Sequence, residues 1–567
     1  MDQLRNVNLR NDLTEARGQS PSTLESYSPT TNGPSRMDHE SDCAKKQLDR
    51  PYDLIIFGAS SSVGKFIVEE MALVVEKFYS PQTRQRTYAH TNSLLAKEHP
   101  DSSQQYAQTR RLSVPRSMDG IQWAVAGRSA VKLNEVLCRA ELSTGIKDLS
   151  YRVPVILADL NQTRSLREMC LKTKLIVSCV GPYSHGGEEL IKVCIDTKTN
   201  YIDLCHETTF IDEIREKYYE VARTNGMFII NGCGFQSMSA EMGLNFIKQV
   251  VDGQVEEVKV ILNLNDTKVF VQPSSSQLFP QGIVSTGMWY STLAEKAQQM
   301  SLTDRFRAEV SKTRSIDPDD SNNTLKSRKD TQTMVRDIVE FKNRNTLPWL
   351  NMVIGFTSNG RGYCWPLENM TSDESQMIRG EMDNYELRRP DMDSSSGWTP
   401  IRCSTYVAMK NIIEVVIVLV WTLTFSIMSR FSPARWIMRN YPYVFSLGNV
   451  IGPNETVDRD SLVHIKYCQT FIAYGDPSDS SADPLEKTDD KTRRKHVQLL
   501  VARVVGPEPN HVATATFAVQ AALTLLAERD HLPVCGGVIT PGAAFAETNI
   551  IYQLRRRNIK FEVLKKA

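Results

Sequence analysis

The chain has 567 residues, enough for about two to four domains, and its hydrophobic fraction of 41% is ordinary for globular proteins. Lysine and arginine total 67 against 66 aspartate and glutamate, so no basic field attracts nucleic acid and we expect no nucleic-acid partner. The 11 cysteines form no CxxC pair and the 9 histidines no HExxH spacing, which predicts free thiols and no metal site.

The first folded stretch combines a strand, a tight turn and the start of a helix. Apolar residues at 54–57 run into a glycine-rich turn, and a helical pattern begins directly behind it. Backbone N–H groups and the positive end of a helix dipole meet at such a turn, which suits a diphosphate. The alternative is a turn that only packs helix on strand. The cofactor-binding residues expected here are Gly58, Ala59, Ser60, Ser61, Ser62, Val63 and Gly64.

Five further short apolar runs alternate with helical patterns along the next part of the chain. The six predicted strands are 54–57, 123–126, 153–157, 175–180, 201–204 and 227–230. This alternation predicts a doubly wound parallel sheet of the Rossmann type. Ligands of such sheets bind at the carboxyl ends of the strands, so we expect the loops after strands one to five to form the site.

Arg128 follows the second predicted strand. In dinucleotide folds this point meets the adenosine ribose, where an acid binds a free 2′-hydroxyl and an arginine accommodates a 2′-phosphate. Arg128 therefore favours NADP over NAD. The alternative is that Arg128 is a solvated surface residue and Ser129 merely caps the next helix.

Three side chains on loops after predicted strands are candidate proton donors. They are Tyr183, His185 and His206. A reductase whose cofactor supplies a hydride needs at most one acid from the protein. A histidine beside a glycine-rich turn more often bonds the backbone, so the catalytic residue stays open.

A second α/β domain follows. A predicted helix at 241–251 leads into an alternating strand at 255–264, and alternation favours an antiparallel sheet. Near the C-terminus we expect strands at 462–473 and 497–505 and a helix at 513–527. His511 and His531 flank that helix, and we expect both to be capping or surface residues.

An apolar run at 411–429 contains a single charge, Glu414. Its uncharged part, 415–429, is shorter than the roughly 20 residues that a bilayer crossing needs. A shallow hairpin closed at Pro433, or burial at a membrane surface, fits this length as well as a full span does. The alternative is a buried core segment. Arginines, Trp436 and Tyr441 after the run favour a membrane-surface anchor.

These patterns divide the chain into five parts. We expect a disordered tail at 1–49, a Rossmann domain at 50–236 with a polar insertion at 80–120, a second α/β domain with polar insertions at 237–405, an apolar membrane-associating segment at 406–445, and a C-terminal part at 446–567 that completes the second domain and packs on the first.

Taken together, several phrases of the sequence resemble the saccharopine dehydrogenase-like oxidoreductases, in particular the animal type that associates with membranes and lipid droplets. The matching phrases are DLIIFGASSSVGKFIVEE, WAVAGRSAVKL, LADL, SCVGPYSHGGEELIKVCID, YIDLCHE, NGCGFQSMSAEMG and GGVITPGAAF. They cover about residues 50–300 and 400–567, and their joint order is more specific than any one of them.

The resemblance implies a Rossmann domain joined to a second α/β domain and NADP or NAD as cofactor. It implies cofactor contacts from the turn at Gly58 to Gly64 and from Arg128, Asp159, Gly181 and Pro182. The implied activity is reduction of a C=N or C=C bond in a lipid-linked or amino-acid-derived small molecule, as in (glyco)lipid metabolism. It further implies a membrane or lipid-droplet surface on the cytosolic side, with the mitochondrion or plasma membrane as alternatives and a homodimer as a candidate assembly.

The sequence departs from the family pattern at several positions. Ser61 stands where a glycine is usual, and Gln236, Ser239 and Glu241 alter the segment after the sixth strand. If Ser61 has a left-handed backbone, the strain is roughly 1 to 2 kcal/mol, which corresponds to about a tenfold loss of affinity. The alternative hypothesis is therefore a catalytically degenerate Rossmann scaffold that acts as a structural protein at a membrane or lipid droplet.

Overall fold

The computed structural model describes 50–75, 120–251, 253–263, 354–357, 360–367, 401–409, 416, 420, 424–425, 427–428, 431–445, 459–477, 497–533 and 536–566. The predicted tail, most of the insertion at 80–120 and most of the apolar run at 411–429 lie outside these residues. The described residues form two seven-stranded sheets.

The first sheet is parallel throughout, as predicted for a Rossmann domain. Its strands are β1 (Tyr52–Phe57), β2 (Trp123–Gly127), β3 (Val155–Leu157), β4 (Thr173–Ser178), β5 (Asn200–Asp203), β6 (Phe228–Ile230) and β13 (Gly537–Ile539), in the order β13-β6-β5-β4-β1-β2-β3. Both faces are covered: Leu54 and Ile56 of β1 belong to one apolar core, and Ile55 and Phe57 to another. Such two-sided burial explains why these strands read as continuous apolar runs.

Helices follow most strands of this sheet. They are α1 (Ser62–Leu73), α2 (Ala130–Thr144), α3 (Leu149–Arg152), α4 (Thr163–Cys170), α5 (Gly187–Thr197), α6 (Thr208–Thr224) and α7 (Phe235–Val250). A short 3₁₀ turn, Tyr183–His185, precedes α5. Helix α7 begins six residues before the predicted start at 241, because Gly234 is the extended residue from which the helix departs.

The seventh strand of the first sheet comes from the C-terminal part of the chain. Val538 of β13 pairs with Ile229 of β6 in parallel register. No local pattern in the sequence indicates which of the two sheets this three-residue strand joins. The C-terminal part thus contributes to both sheets.

The second sheet is mixed, which corrects the antiparallel prediction. Its strands are β7 (Gly253–Asn263), β8 (Ile354–Thr357), β9 (Gly360–Leu367), β10 (Arg402–Met409), β11 (Lys466–Pro477), β12 (Val497–Pro507) and β14 (Lys560–Lys566), in the order β14-β12-β11-β7-β10-β9-β8. All neighbours are antiparallel except β7 and β10, which pair in parallel. The alternation of β7 shows only that the two faces of the strand differ, and it does not determine the direction of a neighbouring strand. A parallel neighbour depends on a long crossover connection, which lies outside the strand itself.

The remaining helices lie in the second half of the chain. They are α8 (Ser432–Asn440), α9 (Pro442–Phe445), α10 (Arg459–Leu462), α11 (Thr514–Ala527), α12 (Pro541–Ala544) and α13 (Ile550–Arg556), with a π-helical turn at Pro509–Ala513 before α11. Among the described residues, none of the helices combines the length and apolar character needed to cross a membrane. Residues 406–409, predicted as part of the membrane-associating segment, are in β10.

Helix α7, which follows β6 of the first sheet, packs on the second sheet. Gly243 lies against Phe471 of β11, whose ring atoms approach to 2.1 Å of the position that a Cβ would occupy. The Ser239 hydroxyl donates to Gln469 Oε1 at 2.6 Å. Ser239, a departure from the family pattern, thus serves the contact between α7 and the second sheet.

Two carboxylates of α1 are buried. Glu69 and Glu70 are each 1% exposed. Arg557 holds Glu70 through two contacts of 2.7 Å, and Arg459 approaches both carboxylates at 3.6 Å. Arg139 of α2 lies 3.3 Å from Glu69. Burial is possible here because opposite charges arrive from distant parts of the chain.

Candidate functional site

The turn between β1 and α1 requires glycine at both ends. Gly58 has φ +80°, and a Cβ there would lie 2.4 Å from Val180 Cγ2. A Cβ on Gly64 would lie 2.4 Å from the carbonyl oxygen of Gly58. The turn is therefore closed tightly on itself and on the loop after β4. Ala59, inside it, is fully buried.

Ser61 has an ordinary extended backbone, with φ −67° and ψ 167°. Its hydroxyl caps α1 by accepting the N–H of Gly64 at 3.0 Å. The strain considered for this position is absent, because the residue of the turn with a left-handed backbone is Gly58. Ser62 and Val63 lie in the first turn of α1, where helix geometry leaves the N–H groups without a partner inside the helix and suited to an anion.

Arg128 and Asp159 lie at the ends of β2 and β3, on the same carboxyl edge of the sheet as the turn. The Arg128 side chain is exposed. The Asp159 carboxylate accepts the N–H of Asn161 at 3.0 Å and so closes a turn. Neither lines the pocket described below. Their positions suit the adenosine half of a dinucleotide, and their roles remain predictions.

The loop after β4 contains Gly181, Pro182 and Tyr183 and is held by Glu207. The Glu207 carboxylate, 1% exposed, accepts the N–H of Tyr183 at 2.8 Å and that of Ser184 at 3.0 Å. Glu207 was not among the predicted site residues. Its place directly after a predicted strand was the available signal, but its partners lie 23 and 24 residues upstream.

Tyr183 ties two strands together. Its hydroxyl donates to the carbonyl oxygen of Ser178 at 3.0 Å and accepts the N–H of Leu204 at 3.2 Å. Burial raises the pKa of Tyr183 well above its usual value, and the buried Asp203 adds to this shift. A hydroxyl that is engaged on both sides and hard to ionise serves to join β4 and β5.

The two histidine candidates have different environments. His185 is exposed, and its Nδ1 lies 3.3 Å from the hydroxyl of Ser184. His206 is half-buried, and its Nε2 is buried without a hydrogen-bond partner among the described residues. Burial lowers the pKa of His206, and the neighbouring Glu207 partly opposes this shift. This shift favours the neutral form of the imidazole.

A pocket of about 130 Å³ lies at this carboxyl edge. It brings together Ser61, Ser62 and Val63 of the turn with Gly181, Tyr183 and His206. Its far wall includes residues that sequence reasoning missed: Gln236 at the start of α7, Asn510 of the π-helical turn and Thr514 of α11. Asn510 and Thr514 had no usable signal, since they lie more than 300 residues from His206 along the chain.

The π-helical turn is held by a buried carboxylate. Glu508 accepts the N–H groups of Asn510, His511 and Val512. His511 is 1% exposed and its ring lies 5.3 Å from that of Phe66 in α1, so the surface role predicted for it is wrong. His531 is exposed as predicted.

Beneath the pocket, Asp203 joins the ends of β5 and β6. It is fully buried and accepts four hydrogen bonds, from the Tyr201 hydroxyl, the Asn231 amide and the N–H groups of Cys205 and Gly232. Burial raises its pKa to about 6, although these donors oppose the shift. Within the described ranges no group of three His, Cys, Asp or Glu side chains is arranged to hold a metal ion.

Comparisons with known proteins find relatives along most of the chain. Residues 109–228 match the family model described as the saccharopine dehydrogenase NADP binding domain. A human protein named saccharopine dehydrogenase-like oxidoreductase is 28% identical over 519 residues, which span 91% of this chain and 98% of the relative. The chain is a relative of the saccharopine dehydrogenase-like oxidoreductases. The resemblance that the sequence phrases suggested is thereby confirmed.

Two further relatives carry different names. A Caenorhabditis elegans protein named lipid droplet localized protein is 26% identical over 517 residues, 90% of this chain and 98% of the relative. An Arabidopsis thaliana protein named probable mitochondrial saccharopine dehydrogenase-like oxidoreductase is 25% identical over 520 residues, 91% of this chain and 97% of the relative. The match to an NADP-binding family model supports the predicted NAD(P) cofactor, and the glycine turn has the shape that a dinucleotide needs.

Proposed function

We propose that this chain is an NAD(P)-dependent oxidoreductase that prefers NADP and reduces a C=N or C=C bond of a lipid-linked or amino-acid-derived substrate. The observation that carries the proposal is the pocket at the carboxyl edge of the parallel sheet. It begins at the first turn of α1, where unpaired N–H groups suit a diphosphate, and extends to His206 and Gln236.

The bound cofactor would supply the hydride. The residues of this chain would bind and orient it: the N–H groups of Ser62 and Val63 would hold the diphosphate, and Glu207 fixes the loop at Gly181 and Pro182. Tyr183 joins β4 to β5. Of the three predicted proton donors, only His206 combines a place in the pocket wall with an unpartnered ring nitrogen among the described residues.

Arg128 provides the test of NADP preference. We expect Arg128→Ala to weaken NADPH binding by roughly tenfold, because the exposed guanidinium would pair with the 2′-phosphate, and to leave NADH binding unchanged. Fluorescence titration with both cofactors measures this. Arg152→Ala is the matched control, since this exposed arginine precedes β3 at the opposite edge of the sheet.

Flat titrations of the unmodified chain with both NADPH and NADH would refute the oxidoreductase proposal. They would favour the alternative of a catalytically degenerate scaffold at a lipid droplet. The ordinary backbone of Ser61 removes the predicted strain from the arguments for that alternative.

We also propose that the protein works at a membrane or lipid-droplet surface. In and beside α8, large apolar side chains are exposed: Phe431 60%, Trp436 64%, Tyr441 58% and Val444 64%. Exposed apolar side chains next to Arg435 and Arg439 suit the boundary between lipid headgroups and acyl chains. The name of the worm relative gives independent support.

Flotation with triacylglycerol droplets coated with phospholipid tests the surface proposal. We expect a Phe431→Ser/Trp436→Ser double variant to float several-fold less than the unmodified chain, because two aromatic anchors are lost. The control is Leu142→Ser/Tyr151→Ser, which removes two exposed apolar side chains of the Rossmann domain. Equal loss in both double variants would contradict a dedicated surface at α8.

A further inference from the structure

The strand order gives a direction to a dinucleotide bound at this edge. The turn after β1 suits the diphosphate, and Arg128 and Asp159 after β2 and β3 suit the adenosine half. The nicotinamide half must then run the other way in the sheet order, over the ends of β4, β5 and β6. His206 follows β5 and Gln236 follows β6.

His206 and Gln236 share an unusual property. Among the described residues, His206 Nε2 and Gln236 Oε1 are buried side-chain atoms without a hydrogen-bond partner, and both residues line the pocket. Buried polar groups in folded proteins are nearly always paired, so unpaired ones call for an explanation such as a missing ligand. Asn231 Oδ1 is also unpaired, but it belongs to the Asp203 cluster beneath the pocket.

We propose that His206 and Gln236 recognise the carboxamide group of the nicotinamide and so fix which face of the ring is presented to the substrate. The inference rests on the dinucleotide binding proposed above and names the residues that hold the reacting half. A primary carboxamide has one carbonyl oxygen and two N–H donors. The imidazole N–H donates to the carbonyl oxygen, and the Gln236 carbonyl accepts an N–H.

The rest of the wall suits an aromatic ring. Leu204, Cys205 and Phe235 are apolar pocket residues within two positions of the two polar ones along the chain. An apolar wall with a few convergent polar groups is typical of sites that bind and orient a ring. The neutral state of His206 fits a hydrogen-bonding role, since a neutral imidazole keeps one N–H to donate. His206 and Gln236 are therefore positioning residues.

Isothermal titration of the full chain with three ligands tests the proposal. They are NADP⁺, its 3-acetylpyridine analogue, in which a methyl replaces the carboxamide NH₂, and 2′,5′-ADP, which has no nicotinamide. We expect the unmodified chain to bind the analogue roughly three- to tenfold more weakly than NADP⁺, because the hydrogen bond to Gln236 is lost. Affinity for 2′,5′-ADP serves as the measure of an intact fold.

The variants assign the two hydrogen bonds separately. Gln236→Leu should bind NADP⁺ as weakly as the analogue, so that the preference disappears. His206→Leu should weaken both dinucleotides by the same factor and keep the preference, and His206→Gln should restore binding because it keeps an N–H donor. Gln122→Leu, at an exposed glutamine before β2, is the matched control and should bind all three ligands normally.

Three outcomes would overturn the inference. If the unmodified chain binds both dinucleotides equally, the carboxamide NH₂ is not recognised, and dinucleotide binding itself stands. If Gln236→Leu retains the preference, the recognition lies elsewhere in the pocket. If neither dinucleotide binds while the chain is folded, the inference and the proposed function fail together.

Discussion

The two ends of helix α1 are built from different parts of the chain. At its N-terminus, Gly58, Ser61 and Gly64 form a turn whose contacts lie mostly within a few residues or on the loop after β4. In its C-terminal half, Glu69 and Glu70 are buried against arginines 70 to 487 residues away. One end is kept open for a ligand, and the other is closed by charge pairs. A single helix thus combines a locally encoded binding turn with a buried anchor that depends on distant residues.

The largest effect is expected at the buried end. Arg557→Ala leaves the Glu70 carboxylate with Arg459 at 3.6 Å as its remaining ion-pair partner among the described residues. Removing one partner of a buried pair destabilises proteins by about 3 to 5 kcal/mol, and we expect a loss near the lower value. Urea unfolding measures it.

Affinity for 2′,5′-ADP should stay unchanged in Arg557→Ala, because the turn lies at the other end of α1. The control is Arg164→Ala, which breaks an exposed pair with Glu168 and should leave the unfolding midpoint nearly unchanged. Loss of nucleotide binding in folded Arg557→Ala protein would show that the two ends are coupled.

At the open end, Gly58→Ala should cost about 2 to 3 kcal/mol of stability and abolish measurable nucleotide binding. The φ of +80° is strained for alanine, and the new Cβ would also meet Val180 and the backbone of Cys179. Thermal unfolding and NADPH titration measure the two effects. Gly145→Ala is the control that separates the two effects. Gly145 has φ +72° but no atom within 4 Å of a Cβ, so this variant should lose stability and keep its NADPH affinity. Normal NADPH binding by Gly58→Ala would contradict the assignment of the turn.

The smallest effect is expected at Ser61. Ser61→Ala removes a helix cap and should cost about 1 kcal/mol, and Ser61→Gly only a few tenths. Neither should change NADPH affinity more than about threefold, because the backbone is already unstrained. Ser129→Ala, which uncaps α2, is the control for stability. A tenfold gain in affinity for Ser61→Gly would revive the idea that this serine hinders the cofactor.

The site could be predicted in part. The glycine turn follows from turn chemistry next to an apolar strand, and the expected place of the ligand follows from the general rule for parallel sheets. The candidates Tyr183 and His206 were found because each follows a strand, but their hydrogen bonds separate them: the Tyr183 hydroxyl is engaged and His206 Nε2 is not. A sequence indicates which groups reach an edge and does not indicate which of them the protein has already paired.

Three features could be predicted from the sequence alone: the parallel sheet of the first domain, the turn after β1 and the relationship to the saccharopine dehydrogenase-like oxidoreductases. These depend on periodicity, turn residues and short phrases, which are local properties of the chain. The folded chain was needed to show that β13 joins the first sheet, that Asn510 and Thr514 line the pocket, and that Glu69 and Glu70 are buried. Each of these depends on a partner far along the chain, and a contact between distant segments leaves no periodic trace in either one.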